Sequence, residues 1–179
     1  MDPLFHFLFP LIVLLGVKVK IKHKLIVAFF LAFLAILPDV DIMIGVHRAT
    51  FHNIFVTLLL PLAGVVLAFK YDKPPDFFWR KISILTLAFL ISHPIIDLFT
   101  PDIFIHEKIS ENPGVKLLYP LSNEYFRIPT IPLTVFSDQP NTELNLSLGF
   151  LFYFLIIFMP VNHLERIIQK QEDRFKKRK

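Results

Sequence analysis

Five apolar blocks, separated by short charged stretches, leave this chain few folds to choose from. They run from about Pro3 to Val19, Leu25 to Leu37, Asn53 to Phe69, Ile82 to Phe99 and Leu146 to Val161. A backbone in hydrocarbon must satisfy its own polar groups, so only helices and closed barrels cross a bilayer. The blocks lack the long alternation of barrel strands. The expectation is therefore an all-α, polytopic membrane helix bundle of about five spans, forming a single domain over 1–179. A span takes roughly 20 apolar residues, with a lower limit of about 17. The third and fourth blocks meet this limit, and the first and fifth are marginal. The second is short unless its flanking lysines snorkel, and a re-entrant hairpin made by the first two blocks stays open.

Composition agrees. The chain is 54% hydrophobic and holds 21 phenylalanines in 179 residues, above the 45–50% of soluble proteins. It contains no cysteine, so disulfides and thiolate metal sites are excluded and any metal is held by nitrogen and oxygen. The start, MDPLFHFLFP, carries Asp2 where a signal peptide has a basic region, so the first block is expected to be retained.

The formal charge of +4 follows from topology and not from nucleic-acid binding. Lys18, Lys20, Lys22 and Lys24 lie between blocks one and two; Lys70, Lys73, Arg80 and Lys81 lie between blocks three and four. Seven more follow block five, from Arg166 to Lys179. Five spans put all of these on one side, and leave Arg48, Lys108, Lys116 and Arg127 on the other. By the positive-inside rule the first side is cytoplasmic, and the N-terminus is extracytoplasmic. The stretch 163–179 reads as a basic cytoplasmic tail: either a helix on anionic lipid headgroups or a solvated segment that only sets topology.

On that topology the remaining polar residues gather at the outer ends of the helices. His6 opens block one. Asp39 and Asp41 close block two in LPDVD, His47, Arg48 and His52 precede block three in HRATFHN, and His93 and Asp97 end block four in SHPIID. His93 and Asp97, four apart, share one helix face. Ionisable groups in membrane helices are costly and need partners. A divalent cation would supply one, since imidazole and carboxylate together suit zinc, manganese or iron; a purely structural polar network is the other reading.

The order LPDVD, HRATFHN, SHPIIDLFTP, GVKLLYPLSNEYFRIP resembles the YdjM-like family of membrane-bound, predicted metal-dependent hydrolases, also described as LexA-binding, inner-membrane-associated hydrolases. The likeness covers roughly residues 6 to 132. It implies His47, His52, His93 and Asp97 as metal ligands, Asp39 and Asp41 as ligands or their partners, and His6, at the place of the family's near-N-terminal histidine, as a further ligand. It implies a divalent metal cofactor, zinc foremost, as one to three ions. Asn53 stands where the family has serine, and Asp102 to Pro113, with His106 and Glu107, interrupts a normally short connection. The H-x-x-x-D spacing with an upstream Asp and His is also distantly similar to zinc-dependent phospholipase C enzymes.

These readings lead to metal-assisted hydrolysis of an ester or phosphoester at the outer membrane face, with a lipid-like substrate favoured by location. Asp39 or Asp41 would bridge ions or act as general base. Arg48 and Arg127 would hold a phosphate or carboxylate, although Arg48 equally suits a salt bridge to Asp39 or Asp41. The loop from Thr100 to Asn145 would cover the site. A metal carrier and a non-catalytic interaction protein are the competing classes. P-S-G-H, the mark of type-2 phosphatidic acid phosphatases, and the metalloprotease H-E-x-x-H are both absent.

Overall fold

The computed structural model describes residues 3–16, 20–44, 48–74, 77–99, 114–126, 151, 155 and 158–178. Their regular structure is helical, with no strand among them beyond an isolated bridge between Val115 and Phe126. The helices are α1 (Pro3–Gly16), α2 (Lys24–Ile36), α3 (Asp41–Ile44), α4 (Leu60–Tyr71), α5 (Phe78–Phe99) and α6 (Met159–Lys176). The all-α expectation is borne out. His47, His106, Glu107, Arg127 and most of block five lie outside the described residues.

α5 is the centre of the bundle, packed against α2, α4 and α6, while α1 lies along α2. α2 can approach so closely because its inward face is small. Ala28, Ala32 and Ala35 recur at helical spacing and are buried, a device that brings helix backbones together where apolar driving force is weak. Ala28 and Ala35 join Leu14, Ile84, Leu85, Ala88 and Phe89 in one core. The opposite face of α2 presents Phe29, Phe30 and Phe33 outward, and α1 likewise exposes Leu4, Leu8, Ile12 and Leu15. Buried beneath them are His6, Asp41, Arg48, His52, Asn53, Ser92, His93 and Asp97. Soluble proteins place bulky apolar groups inside and charges outside. Here an apolar core is present, but a buried group of polar and charged side chains and outward stripes of leucine and phenylalanine stand beside it, a combination that accords with membrane association.

Of the described helices only α5, with 22 residues and a mean hydropathy of 1.9, is long and apolar enough on its own to cross a bilayer. Two others are interrupted for identifiable reasons. Pro38 lets α2 tighten into a 3-10 turn over Leu37–Val40, from which α3 continues. The short second block thus belongs to an unbroken helical path over residues 24–44, roughly 30 Å long at the usual rises. Before α4, Phe55–Leu59 is a π-helical turn in which the Leu60 N–H donates to Phe55 O. Pro61 follows and has no N–H to give to the preceding turn, so the wider turn absorbs the missing bond.

α6 closes the lysine-rich end. It turns Glu165, Ile168 and Glu172 into the bundle while its other residues are mostly exposed. Ile168 joins the core, and Glu172 Oε1 lies 2.6 Å from Lys81 Nζ of α5. Lys24 Nζ donates to Leu15 O at 3.0 Å and ties the α1–α2 turn. The C-terminal stretch is therefore a docked amphipathic helix.

Burial pushes the Glu165 carboxyl up to about 7, with Lys81 opposing, Glu172 adding to the rise and Lys24 opposing. A folded-state pKa above the ordinary value means that docked α6 holds the proton more tightly than undocked chain. This contribution is full below the ordinary carboxylate pKa and is lost as pH rises through about 7. α6 should therefore dock less firmly at about pH 8 than at about pH 5, by on the order of 1–3 kcal/mol. Glu165→Gln should flatten that dependence. Amide hydrogen exchange along α6 in detergent, read across this range for both proteins, checks it.

Candidate metal centre

Four segments deliver side chains to the end of the bundle opposite α6. The 3-10 turn carries Asp39, and α3 begins at Asp41. Residues 48–53 form a turn that holds Arg48 and His52, and the last turns of α5 carry His93 and Asp97. α1 brings His6 from its first turn.

Two imidazoles set the geometry. His52 Nδ1 lies 2.8 Å from Asp41 Oδ2, and His93 Nδ1 lies 2.6 Å from the Ala35 carbonyl. A carbonyl and a carboxylate only accept, so each Nδ1 carries the hydrogen. The two Nε2 atoms then present lone pairs, and they face each other 3.1 Å apart. Around the same point, Asp97 Oδ2 is 3.2 Å from His52 Nε2 and 3.3 Å from His93 Nε2. Asp39 Oδ1 is 3.2 Å from His93 Nε2 and 3.7 Å from His52 Nε2.

These four donor atoms all lie within 4.8 Å of one another. A tetrahedral ion with bonds of about 2.0–2.1 Å sets its ligand atoms about 3.3 Å apart, close to the spacings here. Two lone pairs and two carboxylates crowded in a buried site repel unless a positive charge lies among them, and two neutral imidazoles with two carboxylates balance a dication. Asp39 Oδ2 and Asp97 Oδ1 are moreover buried with no hydrogen-bond partner. The set Asp39, His52, His93 and Asp97 can hold a metal ion. The Nδ1 contacts are of the kind that hold metal-binding histidines in tautomer and orientation.

The other expected residues surround this set. His6 stacks on His93, with ring centroids 3.8 Å apart, and its Nε2 is 3.6 Å from Asp97 Oδ1. Arg48 Nη2 is 3.7 Å from the same oxygen, so the carboxylate it faces here is Asp97, where the sequence suggested Asp39 or Asp41. Arg48 also sits at φ 58, a left-handed conformation that costs a residue with a side chain about 1–2 kcal/mol. A second segment clamps it there. Lys116 N–H donates to Arg48 O at 2.8 Å, and Ile54 N–H donates to Leu117 O at 2.8 Å. The GVKLLYP stretch thus docks on residues 48–54.

Asn53 explains its own departure from serine. Its Oδ1 accepts the Val56 N–H at 3.0 Å, and its Nδ2 donates to Ala49 O and Thr50 O. It caps the helix that follows, a task Asn and Ser perform about equally well.

A family described as "YdjM inner membrane protein" has a model that matches residues 1–164. The chain belongs to this family. Its membrane setting accords with the outward apolar faces and with α5. No curated protein and no solved structure matches the chain.

The sequence offered no sign of two features. The Ala35 carbonyl that holds His93 is a backbone atom. The stacking of His6 on His93 arises from the packing of α1 against α2 and α5; only the small residue at 35, which admits the imidazole, left a trace in the LAIL segment. The cap makes a direct test possible. Asn53→Ser should melt near the wild-type temperature in detergent, whereas Asn53→Ala should lose about 1–2 kcal/mol. Equal melting of both variants would show that the cap contributes little.

Proposed function

We propose that this family member is a multi-pass membrane hydrolase holding a divalent cation, zinc foremost, on Asp39, His52, His93 and Asp97. The observation that carries the reading is the facing pair of Nε2 atoms, each fixed by an acceptor at its own Nδ1. When bound, such a cation supplies Lewis acidity, which polarises a phosphoryl or carbonyl oxygen and makes water a stronger acid.

The chain's own groups divide the remaining work. Asp41 orients His52 through Nδ1, which leaves the general-base role to Asp39. Asp39 is 11% exposed while the other three of the set are closed off, so reactants approach from its side. Its Oδ2 would take the proton of the attacking water. Arg48, whose Nη2 lies 3.7 Å from Asp97 Oδ1, would turn its guanidinium to an anionic group of the substrate in two-pronged fashion. His6 keeps His93 in plane by stacking.

The lysines at the opposite end support an orientation with the site at the outer face and the C-terminus in the cytoplasm. A site at that depth favours an ester or phosphoester in a lipid-like molecule. The donors described here all gather at one end, which suits a fixed site better than the transmembrane path of a carrier.

Elemental analysis of purified protein tests the ligand set. Wild type should carry about one or more divalent ions per chain, and His93→Ala and Asp97→Ala should carry almost none. Asp41→Asn should keep the fold and bind metal some 10–100-fold more weakly. Equal metal content in wild type and both alanine variants would sink the ligand assignment. For the reaction, phospholipids and model phosphoesters should be hydrolysed by wild type, with activity lost on chelation and restored by zinc. Turnover indifferent to chelation would rule out the proposed chemistry.

A further inference from the structure

We propose that the lysine-rich end holds a specific site for an anionic phospholipid, independent of the metal centre at the other end. A cavity of about 720 Å³ opens there between the turn before α2, the start of α5 and the end of α6. Its wall has two chemistries. Ile21, Ile26, Val27 and Phe78 form an apolar side, and Lys20, Lys22 and Lys176 stand on the rim with Asp173.

The charges on that rim are unequal in their commitments. Lys81, deep in the cavity wall, is held by Glu172 at 2.6 Å and donates to Lys20 O at 3.1 Å. This pair neutralises itself and fixes α6 and the turn as walls. The exposed amines of Lys20, Lys22 and Lys176 then face one exposed acid, Asp173, so the rim is net positive.

The apolar side continues onto the outer surface. Leu25 and Ile26 of α2 are 66% and 57% exposed, and Trp79 beside Phe78 is 64% exposed. A tryptophan between apolar flank and lysines marks the headgroup level of a bilayer. The occupant that satisfies both chemistries joins an anion to hydrocarbon. A soluble anion would leave Ile26 and Phe78 wetted, and a zwitterionic lipid would leave the excess of lysines unmatched. Basic pockets between helices at this level bind acidic headgroups in the same manner. The phosphodiester would lie among Lys20, Lys22 and Lys176, and the first acyl carbons would run along Ile26, Val27 and Phe78.

The test uses full-length protein in a neutral detergent, titrated with phosphatidylglycerol or phosphatidylcholine and read by native mass spectrometry and by melting temperature. Phosphatidylglycerol should remain bound and raise the melting temperature, and phosphatidylcholine should do neither. The triple variant Lys20→Gln, Lys22→Gln, Lys176→Gln alters only exposed side chains. It should melt as wild type does without lipid and bind phosphatidylglycerol at least tenfold more weakly. Asp173→Asn should bind it more tightly. Equal retention of the two lipids, or a triple variant that binds as wild type does, would overturn the proposal. So would displacement of phosphatidylglycerol by inorganic phosphate at equal concentration, which would assign the rim to a soluble anion.

Discussion

Two imidazole nitrogens facing each other at 3.1 Å form the contact around which the rest of the bundle is organised. Neither can donate to the other, because each ring has its hydrogen committed at the far nitrogen, to Asp41 in one case and to Ala35 O in the other. In water such a pair would separate. Here it is held by elements that have no freedom to part. α5 is fixed against α2 by the alanine face, and His52 is fixed by a turn whose exit is capped by Asn53. The alanines, the cap and the clamp on Arg48 act together: they bring like-natured groups close enough that a cation could be held among them.

The same packing explains why the polar groups lie inside. A lipid-solvated bundle gains nothing by hiding leucine and phenylalanine, and loses several kcal/mol for each polar group that meets hydrocarbon without a partner. The exposed phenylalanines of α2 and the leucine stripe of α1 cost nothing in that solvent. His6, His52, His93 and Asp97 must then turn inward and find one another. On the proposed membrane topology, their convergence would follow from the solvent and from helices that end at one depth.

Much of this was legible in the sequence. The length of the apolar blocks and their lack of strand-like alternation pointed to helices, and the described parts of the first four blocks are helical. The charge bias gave each helix a direction, and direction alone brought LPDVD, HRATFHN and SHPIID to one end. Within that end the sequence could not separate Asp39 from Asp41, because both are carboxylates two residues apart. The 3-10 turn at Pro38 separates them: Asp39 faces the Nε2 atoms and Asp41 the opposite side of the His52 ring. Residue type foresaw a partner for Arg48 but not which one, since Asp97 is remote in sequence and reached only through the left-handed turn. The lengths of the apolar blocks also understated the second helix, whose helical path continues through its own aspartates.

α5 carries polar anchors at both ends, and their separation bears on the substrate. Lys81 is tied to Glu172 at one end, and Asp97 lies in the candidate metal centre at the other. Sixteen helical steps separate them, roughly 24 Å at 1.5 Å per step, which is less than the roughly 30 Å of bilayer hydrocarbon. On the proposed topology, with Lys81 at one interface, Asp97 would rest several ångströms short of the other. A freely soluble ester would have to leave water to reach that depth. A lipid-like molecule already holds its ester or phosphodiester linkage near that level, so the proposed lipid-like substrate need only move sideways to Asp39. On that topology, the spacing of the two anchors on α5 would favour the proposed lipid-like substrate.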